Sequence, residues 1–438
     1  MHRFIGLLLF CFSLFAVEGS NSETLTEKEI LVINSFKDTG FASLSNDFTI
    51  LNILLSKDFH ASDASIHYNM YEICLANDDL NCSSKHLNRA IKLNPEDQYY
   101  SLSDSLTAYR EVLERARNSA EKQNYNLAIS DYDDIIYRFP DRALPYYEKG
   151  VILKETKDFD KAIVSFQKAR ELNPNKESYL NGIREIAQRK EKQASQYAKN
   201  KDFTNAIPMY EEAISYYPEF IQAYFNLAKS FYFLRDYESA KNTLLSSLKI
   251  DPSQSQSLKM LGDIYKKERN YEESINSYKK AIRVAPKYHK AHYSLAVVLD
   301  ISGDPENAKK SLEETLKIEP SYFKAHETLG IINMKLGDND SAIENFLNTI
   351  SISKKSYKAN YLLAEIHISK EDYSTAKSYA KDALDIKKNC APAFYYLGLA
   401  EKNLGNIAAS KDAFESAKRD RDWRASANYE LELIEEGE

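Results

Sequence analysis

The sequence predicts an all-α solenoid, a stack of about ten helix-turn-helix repeats, and three observations lead to that prediction. Prolines recur every 34 residues through the centre of the chain, at Pro218, Pro252, Pro286 and Pro320. Small residues recur in the same phase, at the eighth and twentieth positions of each 34-residue block. Glycine (12) and proline (11) are few among the 438 residues, which leaves long stretches without helix breakers.

The first residues have the pattern of a signal peptide, which we place at residues 1–19. Arg3 precedes an apolar run from Phe4 to Val17, and Gly19 offers a small residue for cleavage. The run is shorter than the roughly 20 residues that a membrane-spanning helix needs. We therefore expect an exported protein, in the periplasm, with secretion or a secretory lumen as the alternatives.

Residues 20–63 predict a helical cap or a degenerate repeat at the N-terminal end of the array. Thr26 and Glu29 have the spacing of a capping box, and an apolar stripe follows from Ile30 to Phe36. A second amphipathic segment runs from Asp47 to Lys57. Terminal repeats of a solenoid are expected to be atypical, so this segment suits a cap.

The repeat array covers residues 64–422. Two joints exceed the 34-residue period by 11 and 10 residues, before the second and the fourth repeat. Because both insertions keep a helical composition, we expect each to lengthen the first helix of the next repeat by about three turns. The predicted starts are Ala64, Tyr109, Ala143, Ala187, Ile221, Ser255, His289, Phe323, Tyr357 and Ala391.

The small residues carry a resemblance to the tetratricopeptide repeat, over about residues 64–424. The eighth positions read Tyr71, Ala116, Gly150, Ala194, Ala228, Gly262, Ala296, Gly330, Ala364 and Gly398. The twentieth positions read Ser83, Ala128, Ala162, Ala206, Ala240, Ser274, Ala308, Ala342, Ala376 and Ser410. The resemblance implies a right-handed α-solenoid in which two helices meet closely at these positions. Tyr71 at a small position is one departure, and the lack of proline after the last three repeats is another.

Residues 423–438 predict a C-terminal capping helix with an acidic tail. Trp423, Ala427, Leu431 and Ile434 mark one face of that helix, which would cover the open end of the array. Gly303, Gly337 and Gly405 follow first helices, where the left-handed cap conformation favours glycine.

No set of residues in the sequence predicts catalysis, so we expect a protein that is not an enzyme and has no cofactor. The histidines closest to a metal motif are His289 and His292, three apart on one predicted helix. A structural role explains them better, because His67, His292 and His326 share the fourth position of their repeats, and we predict no metal. The net charge of −7 argues against nucleic acid as a partner.

The cysteines leave two alternatives open for the first hairpin. Cys74 and Cys82 could close it by a disulfide in an oxidising compartment, or be two small buried residues. Cys390 falls in a predicted turn and is expected to be a free thiol.

The resemblance also implies where a partner binds, because first helices line the inner face of a tetratricopeptide superhelix. On those helices, repeats five to ten carry nine lysines against four carboxylates at inner positions, in a protein that is acidic overall. One interpretation is a groove for an acidic protein or peptide; the other is solvated lysines and ordinary core aromatics. The candidate partner-binding residues are Phe225, Asn226, Lys229, Tyr232, Phe233, Lys259, Lys290, Tyr293, Lys324, Lys358, Tyr361 and Tyr395.

The function we predict is a non-catalytic exported scaffold or adaptor that binds a protein partner in the assembly of an envelope or surface complex. The alternative is a carbohydrate-facing component of a polysaccharide export or surface-attachment system, with the inner aromatics as stacking platforms. Neither the partner's identity nor the oligomeric state follows from the sequence.

Overall fold

The computed structural model describes residues 64–437, so the predicted signal peptide and N-terminal cap lie outside the described residues. The described chain forms 21 α-helices and no strand, as the prediction of an all-α fold requires. It divides into two units, Met1–Phe220 and Ile221–Glu438. The helices of the first unit are α1 (Ala64–Ala76), α2 (Leu80–Leu93), α3 (Asp97–Glu121), α4 (Tyr125–Arg138), α5 (Ala143–Glu155), α6 (Phe159–Leu172), α7 (Glu177–Lys199) and α8 (Phe203–Tyr216).

The second unit contains six helix pairs and one terminal helix. These are α9 (Ile221–Phe233), α10 (Tyr237–Ile250), α11 (Ser255–Lys267), α12 (Tyr271–Val284), α13 (His289–Ile301), α14 (Pro305–Ile318), α15 (Phe323–Lys335), α16 (Asn339–Ile352), α17 (Tyr357–Ser369), α18 (Tyr373–Ile386), α19 (Ala391–Asn403), α20 (Ile407–Ala417) and α21 (Arg424–Glu436).

Short turns join the two helices of each pair, and these turns share one local conformation. A residue in the left-handed region is followed by an Asp or Asn that caps the second helix: in one turn Arg235 has φ 64° and the Asp236 carboxylate accepts from the Ser239 amide at 3.1 Å. Gly303, Gly337 and Gly405 have φ of 90°, 82° and 80°, so their predicted cap conformation is confirmed. Other turns place a non-glycine residue there, a strain of roughly 1–2 kcal/mol that the neighbouring cap helps to offset.

In several helix pairs a small residue of the first helix closely approaches a larger side chain of the second. In three pairs of the second unit the small residue is glycine and the partner is an aromatic ring. A Cβ added at Gly330 would lie 2.5 Å from Cε1 of Phe346, and one at Gly262 would lie 2.6 Å from Cε1 of Tyr278. The pairs α9/α10 and α13/α14 have alanine instead, clustered with the smaller Leu244 and Leu312.

The first helices of the second and fourth pairs are much longer than the others. Helix α3 has 25 residues and α7 has 23, against 13 for α5 and α9. The extra residues occupy the two insertions and precede Tyr109 and Ala187, where the repeat pattern itself begins. The insertions therefore lengthen the following first helix, as their composition predicts.

Helix α21 covers the end of the second unit. Ala427 and Leu431 are buried against Phe414 and Ala417 of α20. The Trp423 ring lies 5.1 Å from that of Tyr395 on α19. This helix therefore acts as the C-terminal cap that its apolar face predicts.

In the first unit the turn after α1 reaches the joint between α6 and α7, about 100 residues further along the chain. Asp78 forms an ion pair with Lys176 at 2.9 Å and accepts a hydrogen bond from the Tyr179 hydroxyl. The Asn173 side-chain amide donates to the carbonyl oxygen of Ala76 at 2.7 Å. These contacts place the turn after α1 against the joint between the third and fourth helix pairs of the same unit.

Candidate functional site

The first helices of the second unit lie side by side and form one face, which we call the first-helix face. It is built from α9, α11, α13, α15, α17 and α19, and neighbouring members such as α13 and α15 contact each other as well as their own partner helices. Side chains also link them: the Lys335 Nζ lies 2.7 Å from Asp300 across α15 and α13. All twelve candidate partner-binding residues lie on these six helices.

Several lysines of this face are already paired with carboxylates. Lys259 Nζ lies 2.7 Å from Asp263, which also accepts a hydrogen bond from the Tyr278 hydroxyl at 2.7 Å. Lys358 Nζ lies 3.7 Å from Glu327 on the neighbouring first helix. Lys259 is paired within α11 and Lys358 joins α17 to α15, so a count of nine lysines against four carboxylates overstates the charge available to a partner.

Three other lysines point to solvent. Lys229, Lys290 and Lys324 are exposed, and neither Lys290 nor Lys324 has an ion-pair partner within residues 64–437. The Lys229 Nζ lies 6.0 Å from the ring centroid of Phe233, the limit of a cation–π contact. Among the candidate partner-binding lysines of this face, these three side chains remain available.

The aromatic patch of α9 has one exposed member. Phe233 is 54% exposed and meets the Tyr232 ring edge-on at 6.2 Å between centroids. Phe225 and Tyr232 instead pack on the core around Leu244 and Leu261. Asn226 accepts a hydrogen bond from the Gln222 side chain at 3.2 Å. Phe233 is therefore the most exposed ring of this patch.

The remaining candidate tyrosines pack mainly between helices. Tyr293 meets Tyr322 at right angles, 5.2 Å between centroids. Burial raises the pKa of Tyr361 to about 12. Tyr395 is covered by Trp423 and packs on Phe414. Their rings stabilise neighbouring pairs and leave little surface for a ligand to stack on.

Two features of this face were missed in the sequence. Burial raises the pKa of Glu365 on α17, and its carboxylate accepts a hydrogen bond from Tyr396 of α19. Burial lowers the pKa of the Lys266 ammonium on α11, beside Asp263 and Lys259. No local pattern reveals either feature, because the burial comes from the adjacent repeat.

The histidines of the fourth position have structural roles in two repeats. The Nε2 of His292 lies 2.9 Å from the carbonyl oxygen of Pro286, and the Nε2 of His326 lies 2.9 Å from that of Pro320. Each ring ties the start of a first helix to the preceding loop.

In the first unit Cys74 and Cys82 are joined by a disulfide between α1 and α2, with their Cα atoms 5.7 Å apart. Cys390 is a buried free thiol at the start of α19. None of the helices between residues 64 and 437 combines the length and apolar character of a membrane-spanning helix.

The paired helices and the first-helix face define a helical-repeat scaffold. Three family models match the chain: "Cytochrome c-type biogenesis protein H TPR domain" over residues 206–358, and two described as "Tetratricopeptide repeat" over residues 143–176 and 357–390. The chain is a tetratricopeptide-repeat protein. None of the three models describes an enzyme, and the repeat is that of a protein-binding scaffold.

Individual relatives are distant. The chain is 27% identical over 184 residues to the anaphase-promoting complex subunit 3 of Schizosaccharomyces pombe, a match that covers 42% of this chain and 24% of that protein. The chain thus spans about a quarter of the length of that curated relative.

Among solved structures, the C-terminal part of a TPR repeat-containing protein from Cytophaga hutchinsonii is 14% identical, covering 55% of this chain and 98% of its own, with a TM-score of 0.46. YrrB, a TPR protein with an unusual peptide-binding site, is 22% identical, covering 42% and 95%, with a TM-score of 0.38.

Proposed function

We propose that the first-helix face of the second unit binds a carboxylate-bearing segment of a partner protein. The observation that supports this most directly is that some lysines of the face are paired with carboxylates and others are exposed. Lys259 and Lys358 are paired within the face, whereas Lys229, Lys290 and Lys324 are exposed. Available cations on an acidic protein select an acidic ligand and repel a basic one.

The spacing of these lysines limits the ligand's geometry. Lys290 and Lys324 hold the same position in consecutive repeats, so they are separated by about one helix packing distance, roughly 8–10 Å. Carboxylates three residues apart in an extended segment are about 10 Å apart, and those seven apart on one helix face are about 10.5 Å apart. An extended acidic segment or an acidic helix therefore matches two lysines at once.

Phe233 would supply the apolar part of the interaction. Its exposed ring lies beside Lys229 at one end of the face, so an aromatic or aliphatic side chain next to a partner carboxylate would contact both. Buried aromatic anchors contribute much of the affinity in protein interfaces, whereas each exposed ion pair contributes about 0.2–1 kcal/mol.

The cellular setting is part of the same proposal. The signal-peptide pattern of residues 1–19 supports export, with the periplasm as the compartment and assembly of an envelope or surface complex as the role. N-terminal sequencing of the protein from its source organism tests this. Recovery of an uncleaved chain that begins at Met1 from the cytoplasm would contradict it.

Site-specific photocrosslinking tests the binding face. A photoreactive residue replaces Phe233 or Lys324 on the face, or Lys280 on the exposed surface of the second helix α12 as the matched control. We expect one partner polypeptide to be captured from the first two positions and not from the third. Equal capture from all three positions, or from none, would overturn the proposal.

Charge reversal then tests the chemistry. Replacing Lys229, Lys290 and Lys324 together by Glu should reduce capture at Phe233 roughly tenfold or more, while the single control Lys280→Glu leaves it unchanged. A glycan recovered in place of a polypeptide would favour the carbohydrate-facing alternative.

A further inference from the structure

The turn after α1, residues 77–79, lies inside a loop that a disulfide closes. The bond joins Cys74 of α1 to Cys82 of α2, eight residues apart in sequence. Cys390 is the other cysteine of residues 64–437 and is a free thiol, so the remaining helix pairs of the described chain have no such bond. The cross-link is therefore particular to the first pair.

The same turn receives the contacts from the joint between α6 and α7. The Lys176 Nζ lies 2.8 Å from the carbonyl oxygen of Asn77 and 2.9 Å from the Asp78 carboxylate. The Tyr179 hydroxyl donates to the same carboxylate. Asn173 donates to the last residue of α1, which also lies within the disulfide loop. All of these acceptors thus lie between the two cysteines.

The surroundings of Asp78 differ from those of its counterparts. Asp78 has a φ of 61°, and Gln123, Lys157 and Lys201 hold the same left-handed position in the next three turns of the first unit. Those three residues are exposed. The side chain of Asp78 is only 10% exposed, because the joint between α6 and α7 covers it. Burial at this position is thus confined, in the first unit, to the turn that the disulfide encloses.

Local hydrogen bonds do not distinguish this turn from the others. The Asp79 carboxylate accepts from the Cys82 amide at 2.9 Å, as the Asp236 carboxylate accepts from the Ser239 amide in the second unit. The cross-link is the difference, since it limits the conformations that the loop adopts when its contacts are broken. Docking of the turn therefore costs the oxidised chain less conformational entropy than the reduced chain.

We propose that the Cys74–Cys82 disulfide is a redox switch that holds the turn after α1 against the joint between α6 and α7. In the oxidised chain the turn is docked on the joint. In the reduced chain the loop gains conformations when it undocks, and the first helix pair is released. The switch lies in the first unit and uses no residue of the first-helix face.

A dithiol, either a small molecule or a thiol oxidoreductase, supplies the reducing equivalents. Cys82 is half-buried and Cys74 is 0% exposed, so a thiolate of the dithiol attacks the Cys82 sulfur. A mixed disulfide forms as the bond to Cys74 breaks, and Cys74 leaves as a thiolate that takes up a proton. The second thiol then displaces Cys82, which takes up the other proton, and the dithiol becomes a disulfide. Two electrons and two protons pass to the protein.

Amide hydrogen exchange of the full chain tests the switch. A phosphine reduces the disulfide, takes an oxygen atom from water and becomes the phosphine oxide. Reduction should speed exchange in α1 and α2 roughly 10- to 100-fold, the range expected when a short cross-linked loop is opened. Helices α15 and α16 of the second unit should be unchanged. Unchanged exchange in α1 and α2 would overturn the proposal.

Combining reduction with a substitution separates the switch from a general stabilisation of the hairpin. Tyr179→Phe removes a hydrogen bond of the docked turn and should speed exchange in α1 and α2 roughly tenfold or more while the disulfide is intact. After reduction the turn is already released, so the same substitution should change exchange by less than about threefold. An equal factor in the two redox states would show that the disulfide and the contact act independently, which contradicts the switch.

Two variants complete the experiment. Cys74→Ala/Cys82→Ala should exchange like the reduced wild type and no longer respond to the phosphine, with circular dichroism confirming that the helices persist. Tyr137→Phe, on an exposed ring of α4, should have no effect in either redox state. Reduction of the wild-type chain carries the test even where the double variant does not fold. A folded double variant that exchanges like the oxidised wild type would rule out the switch.

Discussion

At the scale of single residues, the second unit alternates two ways of filling the same space. Gly262, Gly330 and Gly398 each face an aromatic ring sixteen residues later, whereas the pairs α9/α10 and α13/α14 place alanine in the same clusters as leucine. In these three pairs the ring occupies the room that a missing Cβ leaves, whereas the smaller leucine accommodates the Cβ of alanine. The eighth position therefore does more than let two helices approach: its size matches the side chain opposite.

Gly330→Ala tests this complementarity. A Cβ there would lie 2.5 Å from Phe346, and such overpacking typically costs about 1–3 kcal/mol, even though helix propensity alone favours alanine by about 1 kcal/mol. We expect a lower free energy of unfolding in urea. The double variant Gly330→Ala/Phe346→Leu imitates the pair at α13/α14 and should recover part of the loss, with a coupling of about 0.5–3 kcal/mol. A gain in stability from Gly330→Ala alone would contradict the steric account.

At the scale of elements, neighbouring first helices are joined by polar contacts that burial makes sensitive to pH. Glu365 of α17 accepts a hydrogen bond from Tyr396 of α19, and burial raises the pKa of the carboxyl above its ordinary value of 4.5. A carboxyl whose pKa is raised by folding favours the folded state in its protonated form. That contribution is complete below pH 4.5 and is lost as the pH rises through the raised pKa.

Glu365→Gln should therefore stabilise the protein at pH 7, because the amide oxygen still accepts from Tyr396 and no charge is buried. The difference between variant and wild type should vanish below about pH 4, where Glu365 is protonated in both the folded and the unfolded chain. Thermal melts of the two proteins between pH 3 and pH 8 measure it. Glu344→Gln, at an exposed site on α16, is the control and should show no such trend; a difference that stays constant with pH would contradict the explanation.

The contact between the α1 turn and α7 in the first unit is a second element-scale feature. Tyr179 is fully buried and donates to Asp78, and burial together with that carboxylate raises the pKa of the phenol. Tyr179→Phe should lower the stability of α1 and α2 by about 1.5–3 kcal/mol, since a hydrogen bond to a charged group is lost and Asp78 stays half-buried. Faster amide exchange in those two helices is the measurement.

The control for this prediction is Tyr137→Phe, which removes a hydroxyl from a ring that is 87% exposed on α4. Its effect on exchange in α1 and α2 should be negligible. Equal protection of α1 and α2 from amide exchange in Tyr179→Phe and the wild type would show that the contact between Asp78 and Tyr179 does not stabilise the first helix pair.

At the scale of the whole molecule, the sequence predicts structural features that arise within one repeat. It does not predict features that depend on contacts between repeats. Small residues, prolines and cap positions act within one repeat, so helix starts such as Ile221 and the long α3 and α7 follow from spacing. Ion pairs such as Lys335 with Asp300 join neighbouring repeats and depend on side-chain direction, which spacing leaves open. The contact of Asp78 with Tyr179 spans 101 residues and results from small rotations that accumulate along the first unit.

Because most contacts of a repeat protein lie within a repeat or between adjacent repeats, we predict that the second unit folds alone. In repeat proteins each repeat contacts only its neighbours, and the unit from Ile221 to Glu438 contains six complete helix pairs, its own core clusters and the cap α21. A fragment of residues 221–438 should be helical by circular dichroism and melt cooperatively.

With a photoreactive residue at position 324, this fragment should capture the same partner as the full chain, because Lys229, Lys290, Lys324 and Phe233 all belong to the second unit. The matched fragment of residues 1–220, probed at the exposed Tyr137, should capture none of it. A folded second unit that no longer captures the partner would place essential binding residues in the first unit.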